Sequence, residues 1–167
     1  MIEIRHADLT RVAAGAVLRS VAADGSAVTP LMRRLELAAG PEVAAQCQRL
    51  GELPVGSAVI TAGGALPAAY LIHVAVRSVD QPVTADGVRR ALSNGLRRAV
   101  EWEIETLAVP PLGLGAGNLD AEEAAGIMIP VLVEHLRTAR HPREVIVVVE
   151  SDYEREAFER ALAAAPV

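Results

Sequence analysis

Apolar residues recur along this chain with two alternating periods, one suited to strands and one to helices. Residues 2–5 read as a short first strand, and Asp8 as the N-cap of a helical turn that starts at Leu9. Residues 16–21 read as a second strand. Leu31, Leu35 and Ala38 share one helix face, and Gly40 stops that helix. Pro41 opens the next helix, which runs through Leu50 to its terminator Gly51. Residues 57–61 and 70–76 are rich in Val and Ile and bounded by Gly and Pro, which predicts two strands. Across residues 84–103, Val88, Leu92, Leu96 and Val100 recur every fourth position with arginines on the other side, the pattern of an amphipathic helix. Residues 106–110 form a short buried strand. Asp120 caps a helix through Arg137 in which Pro130 should start a kink. Residues 144–149 make the most apolar strand, suited to a doubly covered position, and Asp152 begins the closing helix.

This alternation predicts an α/β fold with a mostly parallel sheet covered by helices on both faces. Ligands gather beyond the carboxyl ends of such strands, so the loops after Arg5, Val21, Pro110 and Val149 are the places to seek a site. No repeat, low-complexity tract or long linker divides the chain, and residues 1–167 are expected to form a single domain.

Composition then removes whole classes of function. The most apolar stretch, residues 127–133, ends at Glu134 and falls far short of the ~20 residues that a bilayer requires. The N-terminus lacks the apolar core of a secretory signal, and Cys47 is the single cysteine, so a cytoplasmic protein without disulfides is expected. The 16 basic and 21 acidic residues leave a net charge of −5, which argues against a general nucleic-acid binder. Arg89, Arg90, Arg97 and Arg98 read as a solvated helix face beside acidic neighbours. Tyr70, Trp102, Tyr153 and Phe158 are too few for a base-stacking platform. Every basic residue is Arg, so lysine chemistry is excluded.

The strongest local signal is Pro110-Pro111-Leu112-Gly113-Leu114-Gly115-Ala116-Gly117-Asn118, three alternating glycines between a buried strand and a capped helix. Amides without side chains can approach and cradle an anion there, although a tight turn needing positive φ fits the same pattern. It is not the dinucleotide fingerprint, because Asn118 stands at the last glycine, and without a following Lys it is not a P-loop.

Several stretches, in order, resemble the macro domain family. Ala7-Asp8-Leu9-Thr10 resembles its Gly-Asp-Ile-Thr entry motif, and residues 31–40, ending in Ala38-Ala39-Gly40, resemble its helix ending in Ala-Ala-Gly. Residues 56–61 followed by Leu66-Pro67-Ala68-Ala69-Tyr70-Leu71-Ile72-His73 resemble its hairpin, and the glycine loop resembles its phosphate-wrapping segment. The resemblance implies a three-layer α/β/α fold with a mixed, mostly parallel central sheet, binding ADP-ribose or an ADP-ribosylated protein, with no metal or other cofactor. It places Asp8 at the exocyclic amine of adenine and the Leu9 amide at the base. It places Leu112, Gly113, Leu114, Gly115, Ala116, Gly117 and Asn118 along the diphosphate and distal ribose, and Tyr153 over the base, where a plain helix-face tyrosine is the alternative.

The departures fall at the other end of that ligand. Without a gap, the family's Asn-Ala-Ala-Asn falls on Arg19-Ser20-Val21-Ala22, leaving Ala22 at the distal ribose, and its Gly-Gly-Gly-Val falls on Val28-Thr29-Pro30-Leu31. Pro30 has no N–H to offer a phosphate. A shifted register would bring Asp24 over the Asn but needs a compensating deletion. Three functions follow: an ADP-ribose-binding module with a degenerate ribose end, an ADP-ribosyl or O-acetyl-ADP-ribose hydrolase using an acid such as Asp24 or Asp120, or a scaffold that has lost its ligand. Cys47 reads as a buried inert thiol and His73 as a hydrogen-bonded core residue, while His6, His135 and His141 lack zinc spacing. Asp120, Glu122 and Glu123 read as helix N-terminal acids.

Overall fold

A computed structural model describes residues 1–115 and 119–166. The strands are β1 (Ile2–His6), β2 (Ala14–Ala22), β3 (Ala58–Ala62), β4 (Ala68–Arg77), β5 (Thr106–Val109) and β6 (Glu144–Val149). The helices are α1 (Pro30–Ala39), α2 (Pro41–Arg49), α3 (Ala85–Glu101), α4 (Ala121–Thr138) and α5 (Asp152–Ala164), with a short 3-10 turn at Leu9–Arg11. One six-stranded sheet has the order β1-β6-β5-β2-β4-β3, parallel throughout except for the β3–β4 hairpin. This is the mixed, mostly parallel sheet expected from the sequence. The apolar strand β6 lies inside it, with residues 145–149 all buried.

The helix ends follow from capping chemistry. Thr29, Thr84 and Ser151 each accept an amide hydrogen bond in the first turn of α1, α3 and α5. Asp120 and Glu123 form a reciprocal capping box at the start of α4, with bonds of 2.8 and 3.2 Å. Those acids therefore hold a helix end, as the sequence suggests. α4 continues through Pro130.

Two expectations shift. The i+4 spacing puts Val100 in the apolar stripe of α3, yet it is exposed, and Ala99 is buried in its place. Four residues advance a helix by 400° rather than 360°, so a strict i+4 row drifts off the core face after three repeats. The stripe becomes Val88, Ala91, Leu92, Gly95, Leu96 and Ala99. A Cβ at Gly95 would lie 2.6 Å from Leu18 Cδ1, so this glycine lets α3 close onto the sheet. β2 is also longer than the run 16–21, because its flanking small residues still pair with β4. It ends in a bulge between Val21 and Ala22, followed by a tight return in which Val21 bridges Ala27.

Adjacent residues of β2 serve opposite layers. Leu18 meets α3 at Gly95, while Arg19 turns toward Glu36 of α1. That alternation sandwiches the sheet and leaves the carboxyl ends of β1, β2, β5 and β6 opening onto common ground.

Candidate functional site

Beyond those strand ends lie two adjoining hollows. The first, of about 210 Å³, is lined on one side by Thr29, Pro30 and Leu31 and on the other by Pro111, Leu114 and Gly115. The second, of about 470 Å³, is more open and is lined by His6, Ala7, Asp8, Arg34 and Glu150. Arg34 and Glu150 border both. A larger groove of about 620 Å³ between α3 and α4 shares no residue with either and lies away from the loops where this fold class gathers ligands.

At the open end, Asp8 follows β1 directly. Its Oδ1 accepts from the Thr10 hydroxyl at 2.8 Å and the Thr10 amide at 3.0 Å, and Arg11 Nε lies 3.6 Å from Oδ2. The hydroxyl bond first, then the amide bond, holds this carboxyl below the usual carboxylate range. Asp8 is thus an ionised, half-exposed acceptor fixed by its own turn. Leu9 is buried beneath it at 1% exposure.

The glycine loop divides in its roles. Leu112 is buried and its N–H donates to Met128 Sδ at 3.2 Å, so this amide is turned to the core rather than to the cleft. Gly113 has a φ of 88° and backs onto Leu119, where a Cβ would lie 2.6 Å from a side-chain carbon. Leu114 and Gly115 line the cleft, and Gly115, with φ 74°, comes so near Thr29 that a Cβ would sit 3.2 Å from the threonine methyl. Ala116, Gly117 and Asn118 lie outside the described residues.

Two expected site residues stand away from the lining of both hollows. Ala22 lies past the β2 bulge, where its N–H donates to Ser26 O, and Ser20 borders the cleft instead. Tyr153 is the second residue of α5 and is 55% exposed; Glu150 and Glu154 take the cleft-lining positions of that segment. Asp24 is committed to a local turn, accepting from the Ser26 hydroxyl at 2.6 Å and its amide at 3.0 Å, which holds its carboxyl low. Arg34, which borders both hollows, is among the lining residues that sequence reasoning missed. Its signal was position: it lies one turn into a helix whose N-terminus follows the β2 return.

Behind the cleft wall, the sheet holds a buried polar cluster. Arg19 Nη1 lies 3.2 Å from His73 Nδ1, Thr61 Oγ1 lies 2.8 Å from His73 Nε2, and Cys47 Sγ is 3.5 Å from the same ring. Burial, and then the Arg19 guanidinium, push His73 down to about 3. Burial also pushes the Cys47 thiol up, which makes it the inert thiol expected. Three arginines of α3 pair along their own helix, Arg89 and Arg90 with Asp86 and Arg98 with Glu101, as a solvated face does. Among the described residues, no helix is long and apolar enough to cross a membrane.

A mixed sheet with helices on both faces and a split cleft at its carboxyl ends defines an α/β module whose cleft lies where this fold class places ligands. Residues 26–128 match the model of the macro domain. The chain is 30% identical to a macro domain-containing protein of Chlorobaculum tepidum, over 98% of this chain and 96% of that protein. It is 35% identical to an O-acetyl-ADP-ribose deacetylase of Klebsiella pneumoniae, over 76% of this chain and 75% of that enzyme. It superposes on the Oceanobacillus iheyensis macrodomain solved with ADP at a TM-score of 0.86, with 21% identity, covering 97% of this chain and 90% of that one. This chain belongs to the macro domain family. It spans 45% of the length of an uncharacterised Mycobacterium bovis relative, to which it is 26% identical over 98% of its own residues.

Proposed function

We propose that this chain binds ADP-ribose, or a related adenine nucleotide or ADP-ribosyl group, across the two hollows. The observation that carries this reading is the pairing of a fixed carboxylate, Asp8, with a separate cleft between Thr29–Leu31 and Leu114–Gly115. Asp8 accepts from the exocyclic amine of adenine in the open hollow, and the cleft beyond takes the ribose end. Neighbours of this fold solved with ADP support the same ligand class. The persistence of a cleft between the two loops favours binding over a scaffold that has lost its ligand.

Binding without turnover is the function we favour. The two acids considered for activating water are occupied, Asp24 by Ser26 and Asp120 by the cap of α4. The Klebsiella deacetylase supports hydrolysis as the second reading. Turnover of O-acetyl-ADP-ribose or a mono-ADP-ribosylated protein at high protein concentration would establish it.

Titration calorimetry with ADP-ribose, AMP and NAD tests the binding reading; a folded protein that gives no heat at millimolar ligand would overturn it. Asp8→Asn keeps the cap oxygen but sets an amide donor against the adenine amine. It should weaken ADP-ribose binding about tenfold or more, the scale of a hydrogen bond to a charged group, while leaving the melting temperature close to that of the parent.

A further inference from the structure

Arg34 and Glu150 are the two residues shared by both hollows, and they close on each other across the boundary, with Arg34 Nη2 2.6 Å from Glu150 Oε1. Arg34 projects from α1, and Glu150 follows the end of β6, 116 positions further along the chain. The pair therefore joins α1 to the end of β6 at the boundary between the two hollows. A ligand that reaches from Asp8 to Thr29 and Gly115 has to cross it.

The charges around this boundary are unequal. Asp8, Glu150 and Glu154 present carboxylates to the hollows, whereas Arg34 is the one arginine lining either hollow among the described residues. A dianionic diphosphate placed there meets Glu150 as a like charge and Arg34 as its natural bidentate partner. Arg34 and Glu150 are both well exposed, at 56% and 43% of their side chains, so the guanidinium has room to turn. An exposed pair of this kind is weak enough to be exchanged. The family-like glycine loop ahead of α1 is replaced by Val28-Thr29-Pro30, and Pro30 offers no amide to an anion.

We propose that the Arg34–Glu150 pair is a latch at the boundary between the two hollows, and that Arg34 leaves Glu150 to hold the diphosphate when ligand binds. Resting on the ADP-ribose reading above, this assigns the phosphate-holding cation of this chain to a side chain of α1. Glu150 competes with the ligand for that cation and so lowers affinity in the parent protein.

The two residues should therefore have opposite effects. In calorimetric titrations of the full chain, Arg34→Ala should weaken ADP-ribose and ADP about tenfold or more, as expected for a lost charge-assisted bond, and leave adenosine unchanged. Glu150→Gln should tighten ADP-ribose about two- to fivefold, the scale of an exposed ion pair released. Arg33→Ala, which removes an exposed arginine that lines neither hollow, should change neither. If the parent binds ADP-ribose and both variants match it, or if Glu150→Gln weakens binding, the latch is wrong and the ligand reading stands. An equal loss of adenosine and ADP-ribose in Arg34→Ala would also overturn it. If parent and Glu150→Gln proteins are both folded and give no heat with ADP-ribose, ADP or adenosine, the ligand reading fails and the latch with it.

Discussion

Replacing Glu36 with Ala should destabilise the protein by about 3 kcal/mol, whereas replacing Arg19 with Met should be neutral or stabilise it by about 1 kcal/mol. Arg19 is 1% exposed on β2, and its Nε and Nη2 find no hydrogen-bond acceptor among the described residues. Its counter-charge is Glu36 Oε2, 3.6 Å from Nη2. Burial works against the guanidinium's charge, and Glu36 is the main group restoring it. Remove Glu36 and a cation is left in the interior without compensation. Remove Arg19 and Glu36 retains Arg33, 3.8 Å away, together with the part of its side chain that reaches solvent. Methionine fills much of the arginine's aliphatic volume and brings no polar atom of its own, and Cys47 Sγ, 3.5 Å from His73 Nδ1, remains beside the ring nitrogen that Arg19 gives up. The effect of Glu36→Ala is set at the lower end of the range for a broken buried pair because Glu36 is itself 18% exposed. Urea unfolding at neutral pH measures both variants, and a loss in Arg19→Met equal to that in Glu36→Ala would contradict the assignment.

The second large effect is on pH dependence. His73 titrates at about 3 in the folded protein against an ordinary value of 6.5. Between those values an unfolded chain carries a proton on this ring that the folded chain does not. The unfolded state then binds more protons, so stability rises with pH across that window and falls as the solution is acidified. One such group contributes a slope of about 1.4 kcal/mol per pH unit inside the window. Stability curves measured from about pH 4.5 to 6 should be steeper in the parent than in His73→Leu by that amount. Asp8 and Asp24 are also held low, but their ordinary value is 3.8, so their loss sets in at lower pH and is separable from that of His73. Parallel curves for parent and variant would show that His73 takes up its proton in both states alike. Loss of the Arg19 charge should reduce the effect, because that guanidinium is the second cause of the depressed value.

These two predictions concern residues that the sequence pattern treats unequally. His73 sits in an apolar strand within the hairpin Leu66 to His73, and its place in the core is legible from those neighbours. Arg19 is not. A lone arginine between Leu18 and Ser20 gives no local indication that it points inward, since strand alternation fixes which residues share a face but not which helix covers that face. Only the packing of α1 against β2, which brings Glu36 over the strand, makes a buried arginine tolerable.

The candidate site divides in the same way. Asp8 was legible because its role is local: a carboxylate two residues before Thr10 caps its own turn whatever the rest of the chain does. Leu114 and Gly115 were legible because glycine alternation at a strand end has few structural uses. The inward turn of the Leu112 amide was not legible, because its partner, Met128, comes from the middle of α4. Ala22 and Tyr153 were placed by register alone, and a β-bulge and a helix start moved them off the cleft lining.

By itself, then, the sequence determined the order and kind of the elements, the mostly parallel sheet and the carboxylate that caps its own turn after β1, all of which depend on short-range periodicity, capping and turn chemistry. The tertiary structure alone decided that Arg34 meets Glu150, that Arg19 rests on Glu36, and that the cleft is split in two. Each of those contacts joins elements distant in the chain, and an ion pair leaves no trace in local periodicity. Its partner is chosen by the sheet order β1-β6-β5-β2, which brings the end of β6 and the start of α1 to the same edge of the cleft.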